Sequence, residues 1–184
     1  MKKIIALFSG EGTNLQNLID KIHNKDVEII AAITNNPLAN GVAKAEKAGI
    51  EVEILNHRDF SDRESYDAAL VELIESYKPD LVVLCGFMRI LTSVFTSRIR
   101  AINLHPSLLP AFKGANAIHE SFESGITECG VSVHWVNEEL DGGDIILQKS
   151  FNRDLNDSFD NFSDKIHSIE YEILPLGVLK ALKG

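Results

Sequence analysis

An asparagine and a histidine two residues apart, Asn103 and His105, carry the clearest chemical potential in this sequence. An amide can donate a hydrogen bond to a developing oxyanion, and an imidazole can donate or accept a proton near neutral pH. Pro106 follows and biases His105 to an extended conformation, so the pair is predicted at the end of a strand. Alternation along a strand then puts both side chains on one face. The alternative is a plain turn capped by two polar residues.

Asp141 is the third candidate, and it lies in an acidic, glycine-rich loop (residues 137–144). An aspartate can orient an imidazole and stabilise its protonated form. Asp-Gly is also a common turn pair, and spacing alone does not bring Asp141 to His105. No Gly-x-Ser-x-Gly elbow occurs, and Cys85 and Cys129 lie in apolar runs, which argues against covalent catalysis.

A glycine loop, residues 9–14, follows the first apolar run and precedes residues at helical spacing. Backbone N–H groups of such a loop and the helix N-terminus form a ready anion site. A dinucleotide is disfavoured because Leu15 occupies the third glycine position and no acidic residue follows the second strand; Gly-Lys-Ser/Thr is absent. The pattern favours a single phosphate monoester over a plain tight turn.

Strand and helix patterns alternate along most of the chain. Strands are predicted at residues 4–8, 27–34, 51–55, 81–85, 100–105, 130–136 and 145–148. Helices are predicted between most of them, including a short one at 93–99, and apolar residues from 159 to 173 mark a C-terminal helix that Pro175 ends or kinks. The alternation predicts a single α/β domain over residues 1–184 with a mostly parallel, doubly wound sheet.

Residues 86–91 follow the most apolar strand and read Gly-Phe-Met-Arg-Ile-Leu. They place apolar groups and one arginine at the carboxyl end of a strand. Two interpretations stay open, since these side chains could join the core or could form the wall of a pocket for a flat heterocycle.

Composition and charge exclude several classes of protein. With 184 residues and a net charge of −9, the chain is long enough for a core and lacks the basic face of a nucleic-acid binder. The first apolar run is too short for a signal peptide or a membrane span. The six histidines and two cysteines show no metal-ligand spacing. We expect a cytoplasmic protein with no metal, nucleic-acid or membrane partner. The histidines expected on the surface are His23, His57, His119 and His167.

Two blocks carry a family resemblance. Asn-Leu-His-Pro-Ser-Leu-Leu-Pro at 103–110 and Glu-Leu-Asp-Gly-Gly at 139–143 resemble the formyltransferases that use 10-formyltetrahydrofolate. The segments at 9–14, 86–91 and 130–134 are similar to the branch of that family that formylates glycinamide ribonucleotide in purine biosynthesis. The resemblance runs from Ile4 to about Leu179. It implies a Rossmann-like fold with a phosphate-binding half, about 1–100, and a catalytic, folate-binding half, about 86–184.

The resemblance also implies a mechanism and two sets of ligand-binding residues. The amine would attack the formyl carbon directly, Asn103 and protonated His105 would stabilise the oxyanion, and Asp141 would hold His105 and help move a proton. Residues that would bind glycinamide ribonucleotide are Gly12, Thr13, Asn14, Leu15 and Glu170. Residues that would bind the folate are Arg63, Met88, Arg89, Ile90, Leu91, Asn103, Asn137, Glu138, Glu139, Leu140 and Asp141, with Arg63 directed to its glutamate tail. We expect a monomer or a weak homodimer.

Two residues depart from the family pattern. Glu11 puts a carboxylate in the glycine loop, where it must point to solvent if phosphate is to bind, and Asp144 stands where many members carry proline.

Three other functions remain as alternatives. Formyltetrahydrofolate deformylase has a similar site, but its family carries an extra N-terminal regulatory domain, whereas this chain begins at the first strand. A tRNA formyltransferase would need an added C-terminal domain and a basic surface. The chain could also be a non-catalytic phosphate-sugar binding module, against which the intact set of Asn103, His105 and Asp141 argues.

Overall fold

Seven strands and six helices make up most of residues 1–184, all of which the computed structural model describes. The strands are β1 (Lys2–Phe8), β2 (Val27–Thr34), β3 (Glu51–Ile54), β4 (Leu81–Leu84), β5 (Ala101–His105), β6 (Glu128–Trp135) and β7 (Ile145–Asn152). The helices are α1 (Thr13–Lys21), α2 (Gly41–Lys47), α3 (Arg63–Tyr77), α4 (Ser93–Thr96), α5 (Ala117–Glu123) and α6 (Phe159–Lys183). A 3₁₀ turn, His57–Asp59, follows β3.

The strands form one sheet in the order β3-β2-β1-β4-β5-β6-β7. The first five strands pair in parallel, and β6 and β7 are antiparallel to their neighbours. The predicted mostly parallel α/β sheet is therefore confirmed. The strand order reverses between the neighbours β1 and β4, and open α/β sheets form their ligand crevice at such a point, outside the carboxyl ends of the strands.

Helices cover both faces of the sheet. One face packs against α1, α2 and α6 through residues such as Leu18 and Phe162, and the other against α3 and α4 through Leu70 and Phe95. Residues 4–8 of β1 have 0% of their surface exposed, so this strand is in contact with both layers. Burial of each Leu, Ile or Phe side chain contributes about 1.5–3 kcal/mol, which fixes the strand that precedes the glycine loop.

The C-terminal helix continues through Pro175, where the sequence predicted an end or a kink. Proline has no N–H to donate to the carbonyl four residues earlier, which belongs to Tyr171. That carbonyl instead accepts from Nδ2 of Asn17 at 2.9 Å. A side chain of α1 therefore satisfies the group that Pro175 leaves free, and the bond ties α1 to α6.

Other boundaries shift by a few residues. The helix predicted at 93–99 is a single α-helical turn, α4, and β7 runs on to Asn152 because it pairs with β6 over its whole length. Propensity does not reveal such pairing, since it depends on a partner strand. None of the helices combines the length and the apolar character that a membrane crossing requires.

Candidate active site

The carboxyl end of β5 presents Asn103 and His105 beside β6. In the antiparallel register, Asn103 lies opposite His134, and His105 lies opposite Ser132. Side chains directly opposite each other on such a pair are close neighbours on one face. Asn103 and His105 therefore lie at the end of a strand, as predicted, and the sheet places a second histidine, His134, beside them.

Asp141 reaches this group from the loop between β6 and β7. Its Oδ2 lies 3.5 Å from Nδ1 of His105, and its Oδ1 lies 3.7 Å from Nε2 of His134. The N–H of Gly114 donates to Oδ2 at 2.8 Å. Asp141 has a positive φ of 52°, and it is only 9% exposed. We call Asn103, His105, His134 and Asp141 the polar quartet.

Two glycines fix the loop that carries Asp141. A Cβ on Gly143 would lie 1.7 Å from the carbonyl oxygen of Trp135, and one on Gly142 would lie 2.4 Å from the carboxyl carbon of Glu139. Only Gly143 must therefore be glycine, because it meets backbone, whereas the exposed Glu139 side chain beside Gly142 can move away. The side chain of Asp144 is exposed and forms no hydrogen bond with the quartet. Its backbone carbonyl accepts a hydrogen bond from the Trp135 N–H at 2.9 Å.

His105 sits between acceptors on both sides of its ring. Nε2 is 2.7 Å from the carbonyl oxygen of Phe112, and because a carbonyl only accepts, Nε2 carries the hydrogen. Nδ1 faces Asp141 at a distance longer than a direct hydrogen bond. A protonated ring could therefore hold Phe112 with one N–H and direct the other to Asp141 or to a substrate oxygen.

His134 is a site residue that the sequence did not predict. Its Nδ1 donates to the carbonyl oxygen of Trp135 at 2.9 Å, and burial lowers the pKa of His134 below its usual 6.5. The ring is therefore neutral near pH 7, with a free lone pair on Nε2. Nδ2 of Asn103 donates to that lone pair at 3.3 Å. This bond orients the Asn103 amide and leaves its second N–H hydrogen for an oxyanion.

The glycine loop meets the first turn of α1. The N–H groups of Thr13, Asn14 and Leu15 have no acceptor within the protein, as expected for the start of a helix. Together with the helix dipole they form an anion-binding end. The Leu15 side chain is 0% exposed, so of the predicted set this residue offers only its backbone.

Gly12 and Glu11 give the loop its shape. Gly12 has a φ of +69°, and a Cβ there would lie 2.7 Å from Cα of Gly41, so α2 packs directly on the loop. The exposed carboxylate of Glu11 accepts from Nδ2 of Asn40 at 2.7 Å, and the Lys44 ammonium donates to the Glu11 carbonyl. Glu11 is therefore turned to solvent, as predicted, and a lysine brings positive charge to the loop.

A crevice of about 580 Å³ begins at this loop. It lies at the carboxyl ends of β1, β2 and β4, and it reaches Gly86 and Met88 beyond the reversal of strand order. Its other walls are Asn35, Asn36, Pro37, Leu38, Asn56, His57, Arg58 and Cys85. The quartet is not among its lining residues, so the loop and the quartet are distinct parts of one sheet edge.

Glu170 is 6% exposed, so it is not an ordinary surface glutamate of α6. Its Oε2 accepts from Nδ1 of His167 at 2.7 Å, and this bond raises the pKa of His167. His167 lies at the surface as predicted, half-buried in this pair with 44% of its side chain exposed. His23 and His57 are half-buried as well, whereas His119 is exposed as predicted.

The predicted folate residues fall into two groups. Met88, Ile90 and Leu140 are apolar yet 73%, 50% and 51% exposed, which suits the wall of a pocket. Arg89 is half-buried, and its guanidinium carbon lies 4.4 Å from the Tyr66 ring centre. The exposed residues are Arg63, Asn137, Glu138 and Glu139, and Leu91 is half-buried.

No group of three His, Cys, Asp or Glu side chains is arranged to hold a metal ion.

Comparison with known proteins gives one consistent family. The model of the formyl transferase family matches residues 2–178. A phosphoribosylglycinamide formyltransferase of Haemophilus influenzae is 41% identical over 180 residues, which are 96% of this chain and 85% of that protein. The crystal structure of phosphoribosylglycinamide formyltransferase from Campylobacter jejuni superposes with a TM-score of 0.95 at 51% identity, covering 97% of this chain and 96% of the other.

A longer relative contains a similar segment. The trifunctional purine biosynthetic protein adenosine-3 of Bos taurus is 38% identical over 186 residues. The match covers 99% of this chain but only 18% of the bovine protein's length.

Proposed function

We propose that this chain, which belongs to the formyl transferase family, moves the formyl group of 10-formyltetrahydrofolate to the amine of glycinamide ribonucleotide in de novo purine biosynthesis. The products are the N-formyl ribonucleotide and tetrahydrofolate. The observation that carries the proposal is the polar quartet: the buried carboxylate of Asp141 faces the His105 imidazole, and His134 orients the amide of Asn103. The names of the two bacterial relatives support the choice of acceptor.

The reaction needs an amine to attack and one proton to move. As the carbon–nitrogen bond forms, the formyl oxygen gains negative charge, and the free N–H of Asn103 and the protonated ring of His105 stabilise it. Asp141 takes the proton that the amine loses, directly or through a water, and N10 of the folate receives it as its bond to carbon breaks. Each such contribution is typically worth about 2–4 kcal/mol of the barrier.

The other end of the acceptor belongs at the glycine loop. Its phosphate accepts from the unpaired N–H groups of Thr13, Asn14 and Leu15, and Lys44 adds positive charge nearby. Glu170 accepts hydrogen bonds from the ribose hydroxyls or the ammonium group. Since Glu170 is already bonded to His167, its free oxygen is the one offered to the ribonucleotide.

The folate would lie against the exposed apolar residues. Met88, Ile90 and Leu140 supply the flat apolar contact that a pterin needs. Arg63 is exposed at the first position of α3 and would meet the glutamate tail.

Hydrolysis is the alternative reaction that the same quartet supports, because water could attack the formyl carbon in place of the amine. Nothing in the quartet itself discriminates between the two. The free N–H groups at α1 favour the phosphorylated acceptor, since a deformylase has no use for them.

Tetrahydrofolate release with and without glycinamide ribonucleotide tests the proposal. We expect release only when the acceptor is present, and we expect the acceptor lacking its phosphate to be a poor substitute. Release without acceptor would establish a hydrolase. If no release occurs while the ribonucleotide still binds, the chain is a binding module. Asp141→Asn is the matched control for background chemistry, because it should slow release roughly 10²–10⁴-fold while the ligands still bind.

A further inference from the structure

Buried polar atoms without partners concentrate at one place away from the quartet. Of six such side-chain atoms in the protein, four belong to Tyr66, Asp67, Arg89 and Thr96. These residues come from three adjoining segments: α3, the loop between β4 and α4 (residues 85–92), and α4 itself. Buried polar side chains can form networks that hold neighbouring segments in one arrangement, and the contacts that these residues make show which segments they hold.

Asp67 is the anchor of this cluster. It is 0% exposed, and its Oδ2 accepts from the backbone N–H of Thr92 at 2.6 Å and from the Thr92 hydroxyl at 2.8 Å. Hydrogen bonds to a carboxylate are roughly twice as strong as neutral ones. A fully buried charge on α3 thus holds the last residue of the 85–92 loop by both its main chain and its side chain.

Arg89 fixes the middle of the same loop. Its guanidinium lies over the Tyr66 ring at 4.4 Å, in the geometry of a cation–π contact. Its neighbours on either side, Met88 and Ile90, are 73% and 50% exposed. The inward arginine therefore turns both apolar neighbours outward, and the N–H of Met88 is further held by the hydroxyl of Ser9 at 2.8 Å.

We propose that Asp67, Thr92, Tyr66 and Arg89 are positioning residues that hold the 85–92 loop in the conformation that presents Met88 and Ile90 to the folate. This inference rests on the proposed function. Asp67 and Arg89 bring one negative and one positive charge into the same cluster. The loop is fixed from within the protein rather than by contacts on its ligand face, so the site is formed before the ligand arrives.

Thr92→Val is the sharpest test, because valine has the shape of threonine but offers no hydroxyl to Asp67. We expect the Kd for tetrahydrofolate to rise roughly tenfold, the effect of one lost hydrogen bond to a charged group. The Kd for glycinamide ribonucleotide should stay within about twofold, since that ligand is assigned to another part of the site. Thr92→Ser keeps the hydroxyl and should restore folate binding.

Thr96→Val is the matched control. It makes the same substitution four residues later, at a hydroxyl that is buried but has no partner. We expect folate affinity within about twofold of wild type. Titration calorimetry with each ligand separately, together with thermal unfolding, gives all the required readouts. Asp67→Asn, which keeps the shape and loses the charge, supplies the same test if Thr92→Val does not fold.

The outcomes separate the two proposals. If wild type binds tetrahydrofolate and Thr92→Val binds it equally well, the positioning role is wrong and the proposed function stands. If Thr92→Val weakens both ligands alike and lowers the melting temperature, the cluster is only structural. If wild type binds no tetrahydrofolate, the proposed function fails and the inference fails with it.

Discussion

The glycine loop and the polar quartet lie on one edge of the sheet, but they use different groups of the protein, backbone in the first case and side chains in the second. The glycine loop and the start of α1 offer backbone N–H groups from the consecutive residues Thr13, Asn14 and Leu15. The quartet offers side chains from β5, β6 and the loop that follows β6, and three of its four members are less than 10% exposed. The glycine loop therefore depends on the conformation of the backbone, whereas the quartet depends on contacts between buried side chains.

This difference determines how each part should fail. A backbone site depends on φ and ψ, so a substitution that strains the loop should cost both affinity and stability. A side-chain site depends on functional groups, so an isosteric substitution should cost turnover while the fold survives.

The largest effect should come from the quartet. Asn103→Ala, His105→Ala and Asp141→Asn should each lower kcat roughly 10²–10⁴-fold with little change in ligand affinity. Asparagine tolerates the positive φ of residue 141, so the turn survives in the third variant. Steady-state kinetics with thermal unfolding would check this. Turnover near wild type in any variant would remove that residue from the mechanism.

The glycine loop should fail in the opposite way. Gly12→Ala should raise KM for glycinamide ribonucleotide by up to about a hundredfold and lower the melting temperature, because its Cβ meets α2 and its φ is strained. Gly49→Ala is the matched control, since Gly49 has a φ of +73° with open space around it. It should lower stability without changing KM. Equal kinetic effects in the two variants would break the contrast.

A variant of Glu170 tests whether glycinamide ribonucleotide is bound by a side chain as well as by the backbone of the glycine loop. Glu170→Gln should weaken glycinamide ribonucleotide roughly tenfold to a hundredfold through loss of a charge-assisted bond, and folate affinity should stay within about twofold. Calorimetric titration of each ligand gives the answer. An unchanged ribonucleotide affinity would leave Glu170 as only the partner of His167.

His167 gives that pair a pH signature. Because the bond to Glu170 raises the pKa of His167, its contribution to stability is fully present below pH 6.5 and is lost as pH rises through the raised value. Thermal unfolding of wild type and of His167→Gln at a series of pH values should converge on the alkaline side. Parallel curves would mean that His167 gains no proton affinity on folding.

The smallest effect should come from His134, which acts through Asn103. His134→Phe should lower kcat roughly tenfold by releasing the Asn103 amide, and His134→Gln, which keeps an acceptor, should recover most of that loss.

Since burial lowers the pKa of His134, its contribution to stability is present above pH 6.5 and is lost as pH falls through the lowered value. His134→Phe should therefore be less sensitive to acid than wild type.

Local patterns in the sequence were sufficient to predict the elements whose structure depends on residues close together in the chain. The apolar run of β1, the glycines after it and the helical spacing of α1 predicted the anion-binding end, because each interacts over only a few positions. Pro106 likewise predicted that Asn103 and His105 end a strand. The residues themselves suggested Asp141 as the third member, and the resemblance added Glu170; the roles of both remain predictions.

Only the tertiary structure determined which residues join the quartet and how they are brought together. His134 joins it through the register of β5 against β6, and Asp141 through a loop that packs because Gly143 admits the Trp135 carbonyl. The inward turn of Arg89 likewise depends on Tyr66 in α3. The Asn103–His134 pairing and the Arg89–Tyr66 contact join segments far apart in the chain. Hydrophobic periodicity records which face of an element is buried and carries no information about the partner that buries it, so these contacts follow from packing alone.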